Sequence, residues 1–145
     1  MKIALNELTP AQVIGFNRRV TLDALYRDPT GRQQHVVVRG SDMRSCLGAI
    51  FYQGSAGYMH SPLEKMAGLL LYRIAQGQFF LDGNKRTAVV AATIFLSNHG
   101  LLLRLDRPTV NDLMCGFAEG EGGVPAKYRD QDAVQFVFDN VMPRE

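Results

Sequence analysis

The chain has 145 residues, with 16 Lys and Arg against 14 Asp and Glu, a net charge of +2, 46% hydrophobic and 21% charged residues. This balance excludes collagen-like and disordered chains and argues against binding nucleic acid by charge alone. No apolar run approaches the ~20 residues of a membrane span, so neither a membrane nor a nucleic-acid partner is expected.

The N-terminus, Met1-Lys2-Ile3-Ala4-Leu5-Asn6-Glu7, has no signal-peptide core. Cys46 and Cys115 are far apart and lack any Cys-x-x-Cys or Cys/His spacing. A disulfide framework and a structural zinc site are therefore not expected, and a reducing cytoplasm is the default setting. Both cysteines fall within helical stretches and read as core.

Thr9-Pro10 opens the first helix, with Val13, Phe16, Val20 and Ala24 at helical spacing and a stop at Asp28-Pro29-Thr30-Gly31. His35-Val36-Val37-Val38 is the only β-branched run. It predicts a short hairpin or exposed flap near residues 32–40. A second helix starts at Ser41, with Met43, Leu47, Ile50 and Phe51 on one face, and breaks at Gly54-Ser55-Ala56-Gly57. Ser61-Pro62-Leu63-Glu64 carries a capping-box signature for a third helix that ends at Gly77.

After residues 78–86 a nearly all-apolar helix runs over about 87–98, which predicts a central buried helix. Residues 101–105 read as a connector. Thr109-Val110-Asn111-Asp112 caps a short helix through Ala118, followed by a Gly-rich loop over 119–125. Ala133, Val134, Val137, Phe138 and Val141 form a last helix stopped by Pro143. The expectation is one all-α domain over residues 1–145, with about six helices and one extended excursion.

Asp82-Gly83-Asn84-Lys85-Arg86-Thr87 precedes the buried helix. The first amides of that helix have no partners within it and carry the positive end of its dipole. Gly83 lets the backbone turn and a ligand approach closely. Lys85 and Arg86 add positive charge. Such a corner suits an anion, phosphate above all. Asp82 fits beside it if Mg²⁺ lies between carboxylate and phosphate. The run is not a Walker A loop, because Asn84 separates Gly83 from Lys85.

The full run Phe80-Leu81-Asp82-Gly83-Asn84-Lys85-Arg86-Thr87-Ala88 resembles the signature of the Fic/Doc family, His-x-Phe-x-Asp/Glu-Gly/Ala-Asn-Lys/Gly-Arg. Lys85 followed by Arg86-Thr87-Ala88 is similar to the Doc branch, and the order of the flanking elements extends the likeness over about residues 9–142. The resemblance implies a helical fold with the signature as the loop between two central helices. It implies ATP or another nucleotide, Mg²⁺, and transfer of a phosphate-containing group to a protein hydroxyl. Fic enzymes mostly transfer AMP; the Doc toxin, one half of a toxin–antitoxin pair, transfers phosphate to elongation factor Tu. Position by position, the resemblance implies Asp82 at the metal and Gly83, Asn84, Lys85 and Arg86 at the phosphates. Phe80 corresponds to the aromatic that anchors the loop, and Phe79 is a packing residue.

One position departs. The family's His, two residues before the Phe, is Gln78 here. That His is the general base, and an amide cannot carry a proton away. Loss of a general base costs about 10²–10⁴ in rate. The expectation is retained anion binding with impaired or altered transfer. His60 and His99 sit roughly 25 Å and roughly 18 Å along their helices from the loop at 1.5 Å per residue. His35, on the flap, is a candidate contact. The flap's strand edge can also hold a protein target by pairing with an extended peptide. The family's inhibitory motif, Ser/Thr-x-x-x-Glu-Gly/Asn, is absent, so restraint would come from a separate antitoxin-like partner. The alternatives are a His-independent reaction on another phosphate-containing or small-molecule substrate, or a non-catalytic binding module. A helical DNA-binding or scaffold protein is disfavoured, because no helix carries a basic face.

Overall fold

A computed structural model describes residues 5–25, 40–51, 62–118 and 123–144, without side chains for 22–25, 40 and 41. The expected flap with His35, and His60, Ser61 and the centre of the 119–125 loop, lie outside the described residues. Six helices and one small sheet make up the described chain: α1 Pro10–Leu25, α2 Gly40–Phe51, α3 Leu63–Gly77, α4 Asn84–Ser97, β1 Leu101–Leu103, α5 Arg107–Gly116, α6 Asp130–Asn140 and β2 Val141–Pro143. None of the described helices is long and apolar enough to cross a membrane.

α3 is the centre of the packing, with α4 and α6 as its main neighbours and α1 across α4. Its buried residues, Met66, Ala67, Leu70, Leu71, Ile74 and Ala75, recur at helical spacing. Phe95 of α4 is fully buried and its ring stands 5.3 Å from that of Phe51 at the end of α2. Burying a side chain of this size contributes about 1.5–3 kcal/mol. The α3–α6 crossing is very close. A Cβ on Gly68 would lie 2.4 Å from Val134 Cα.

The first helix begins as its sequence predicts. Thr9 Oγ1 accepts from Gln12 N at 3.2 Å, and Gln12 Oε1 accepts from Thr9 N at 2.8 Å. Other boundaries move for physical reasons. α5 starts at Arg107 because Asp106, not Thr109, is the cap: its carboxylate accepts from the Thr109 amide. Residues 101–103 are a strand rather than a connector. They pair antiparallel with Val141–Pro143, Leu102 opposite Met142, so Val141 leaves the last helix. Cys46 is half-buried, and burial pushes its thiol up. Cys115 is a correction to the core reading, for it is exposed on α5. His99 ties the end of α4 to the N-terminal segment: Nε2 accepts from Asn6 N at 3.0 Å and the Nδ1 side faces Phe95 O at 2.9 Å.

The chain after α5 is fastened by polar contacts. Tyr128 N donates to Gly116 O at 2.9 Å, and Tyr128 Oη donates to Asp112 Oδ2 at 2.7 Å, with Lys127 Nζ 3.4 Å from Oδ1. The Tyr128 hydroxyl first, and then Lys127, holds the Asp112 carboxyl below its ordinary value of 3.8. A carboxyl lowered in the fold stabilises above its unfolded pKa and loses that contribution as pH falls through the folded value. Thermal unfolding followed from pH 5 down to 2 should therefore show a smaller fall in midpoint for Asp112→Asn than for the native chain. An equal fall would show that this carboxylate has no share in the acid loss.

Candidate functional site: the loop at the start of α4

The loop between α3 and α4 is built on two buried rings. Phe79 and Phe80 are 3% and 2% exposed, and they anchor the segment as the pattern implies. α3 runs through Gly77, and Gln78 takes the left-handed turn, at φ 51° and ψ 43°. A glycine is the usual residue for such a turn. Here Gly77 is needed one place earlier, because a Cβ on it would meet the Phe79 ring at 2.4 Å. Gln78 therefore carries the backbone strain of a side-chain-bearing residue at positive φ, a state that is uncommon and often local to function. Its side chain is exposed.

The second turn is at Gly83, at φ 79°. A Cβ there would meet Thr21 Cγ2 at 2.8 Å and Asn17 Nδ2 at 3.1 Å, so glycine serves both conformation and close approach to α1. α4 then begins at Asn84, three residues before the expected start. A glycine turn needs no capping side chain, so the helix closes its first hydrogen bond, Thr87 N to Gly83 O, at 2.9 Å. Asn84, Lys85 and Arg86 thus form the first turn of α4. Their three amides have no acceptor among the described residues.

The side chains divide into two kinds. Asn84 braces the loop from within: Oδ1 accepts from Phe80 N at 3.1 Å and Nδ2 donates to Phe80 O at 2.9 Å. The contribution the structure gives to Asn84 is thus loop shape. Lys85 and Arg86 are exposed. Lys85 Nζ lies 3.9 Å from Cys115 Sγ on α5, and Arg86 makes no hydrogen bond or ion pair among the described residues. Asp82 is exposed; its Oδ1 accepts from the Gly83 amide at 2.8 Å.

No group of three His, Cys, Asp or Glu side chains is placed to hold a metal among the described residues. Mg²⁺ takes one or two carboxylates and completes its octahedron with water and phosphate oxygens. Asp82 can supply that carboxylate if a phosphate supplies the rest.

One residue absent from the sequence reading completes the site. Asn17, on α1, is wholly buried. Its Nδ2 donates to Asp82 O at 2.8 Å and to Thr87 Oγ1 at 3.1 Å. Thr87 Oγ1 in turn donates to Gly83 O at 2.7 Å. A polar residue at position 17, on the stripe of Val13, Asn17 and Thr21 that faces inward, was the only available signal: a buried amide needs a partner.

Two concavities among the described residues lie elsewhere. One of about 350 Å³ is lined by Ile50, Met66 and Arg73, and one of about 260 Å³ by Lys65, Leu69 and Phe138. Neither includes a loop residue. Their linings mix charged and apolar side chains, and in each the positive charge shares the space with the Asp130 carboxylate. The loop offers uncapped amides and two cations, and that chemistry outweighs the larger hollow.

The sequence profile of the Fic/DOC family matches residues 7–96. A stretch of 59 residues is 39% identical to the protein kinase doc of Escherichia phage P1; it covers 41% of this chain and 46% of that protein. The chain thus matches less than half the length of this curated relative. No solved structure matches the chain significantly. With the family profile spanning most of its length and the signature loop held between two packed helices, the chain belongs to the Fic/Doc family.

Proposed function

We propose that the chain binds a nucleotide, ATP or a relative, together with Mg²⁺ at the loop 78–86. On this reading it is kin to enzymes that transfer a phosphate-containing group to a protein hydroxyl, and Gln78 weakens the transfer. The observation that supports this best is the first turn of α4, where three amides without acceptors among the described residues and the exposed Lys85 and Arg86 share one corner. Oriented amides and a guanidinium suit phosphate oxygens, and Arg adds a bidentate grip.

The chemistry of transfer is simple to state. A hydroxyl oxygen forms a bond to phosphorus, the bond to the leaving phosphate breaks, and the hydroxyl proton passes to a base. Mg²⁺, when bound, supplies charge stabilisation at the phosphates. Asp82 would hold it, Lys85 and Arg86 would hold the phosphates, and Asn84 would keep the loop in shape. Gln78 can orient the hydroxyl but cannot take its proton. An antitoxin-like partner that restrains the site, and a protein that receives the group, complete the proposal.

Calorimetric titration with ATP and Mg²⁺ tests the reading. Binding in the micromolar range is expected, with a loss of about 10- to 100-fold for Arg86→Ala, as for removal of a charged hydrogen-bond partner worth about 1.5–3 kcal/mol. A native chain that binds no phosphate ligand would contradict it.

A further inference from the structure

We infer that Asn17, on α1, is a positioning residue that sets the shape of the anion loop and thereby its affinity. The inference rests on the reading of the loop as a phosphate site. One side-chain amide joins both sides of the Gly83 turn. Nδ2 donates to Asp82 O, before the turn, at 2.8 Å, and to Thr87 Oγ1, in the first turn of α4, at 3.1 Å. The two residues it ties, Asp82 and Thr87, lie on either side of the Gly83 turn and the uncapped amides of α4. The backbone it holds also carries the Asp82 carboxylate.

Three further observations favour this role over simple core packing. Gly83 approaches so closely that an added Cβ would lie 3.1 Å from Nδ2, so the turn is seated directly on this amide. Thr87 Oγ1 accepts from Asn17 and donates to Gly83 O, which makes a relay across the turn. Asn17 Oδ1 is buried with no partner among the described residues. An unsatisfied buried acceptor is costly, and an apolar residue of similar shape would remove the cost. Asparagine at this place therefore works against stability at one end and supplies two donors to the loop at the other. Asn84 braces the loop against Phe80 from within. Asn17 braces it from the neighbouring helix, so each side of the turn has its own amide.

A positioning role and a packing role separate in one comparison. The native chain, Asn17→Ala and Asn17→Leu are melted by circular dichroism, titrated with ATP and Mg²⁺ well below the melting temperature, and followed by amide hydrogen exchange at Lys85, Arg86 and Thr87. Both variants are expected to keep native helix content. Their affinity for ATP should fall about 10- to 100-fold, and exchange at Thr87, whose amide closes the first helical bond, should speed up. Asn17→Leu should melt close to the native chain and still bind weakly. Native affinity and native exchange in a folded variant would overturn the inference. So would failure of both variants to fold, which would make Asn17 a core residue. A native chain that binds no ATP would contradict the proposed function instead; the exchange rates would still decide whether Asn17 orders the turn.

Discussion

Gln78→His should raise ATP-dependent labelling of protein by about 10²–10⁴-fold over the native chain, the range a general base contributes. The substitution is structurally mild. Position 78 is exposed and already holds a side chain in the left-handed region, where His is among the residues found more often than average. The loop anchors Phe79 and Phe80, the Gly83 turn and the first turn of α4 are untouched by it. The change is therefore confined to whether a proton can leave the attacking hydroxyl. Label from the γ-phosphate would identify phosphate transfer, and label from the α-phosphate AMP transfer. The rate should rise with pH through the ordinary range of imidazole, near 6.5, because only the neutral ring accepts a proton. A native chain that labels protein and loses the activity on Gln78→His would contradict a silenced transferase and favour a reaction in which the amide has its own role.

Gly68→Ala should be among the most destabilising single-methyl changes in the chain. The added Cβ would lie 2.4 Å from Val134 Cα and 2.7 Å from Val134 N, which are backbone atoms of α6 and cannot rotate aside. Helix propensity favours alanine by about 1 kcal/mol, so the outcome measures packing against propensity. Overpacking costs about 1–3 kcal/mol and occasionally more. A backbone clash belongs at the upper end. We expect a net loss of about 2 kcal/mol, or roughly 5–8 °C in melting temperature for a chain of this size. A melting temperature unchanged or raised would mean that α3 and α6 can move apart at little cost.

Much of this molecule is legible in its sequence, and the gaps have causes. Thr9 as the cap of α1, the apolar stripe of α3 and the apolar body of α4 follow from capping chemistry and helical spacing, and they appear as read. The β1–β2 pair does not, because residues 101–103 and 141–143 are partners only after the chain has folded, and neither alternates strongly enough to announce a strand. α4 starts three residues earlier than its apolar pattern suggests, for a local reason. Asn84, Lys85 and Arg86 look like turn and surface residues, yet a glycine in the left-handed region can open a helix without a capping side chain. Position 78 shows the same limit. Gly77 looks like the turn residue, and only the Phe79 ring packed beside it explains why Gln78 takes the strained conformation.

The shape of the signature loop is legible because its parts are local: a glycine turn, a helix start, two exposed cations and an exposed carboxylate. Its bracing from α1 was not readable. Asn17 and Asp82 are 65 positions apart, and nothing in a single sequence links them. The exposure of Cys115 is a similar case. Helical position alone does not say which face of α5 meets the core, and Leu113 and Met114 take that face instead.

If the amides opening α4 grip phosphate, they should report its arrival one by one. The most direct measurement is a residue-resolved amide titration of the native chain by nuclear magnetic resonance, with ATP and Mg²⁺ added stepwise. Saturable shifts are expected, centred on Asn84, Lys85 and Arg86, with smaller ones at Gly83 and Thr87. Shifts confined to the hollow around Lys65 and Arg73, or none at all, would contradict it.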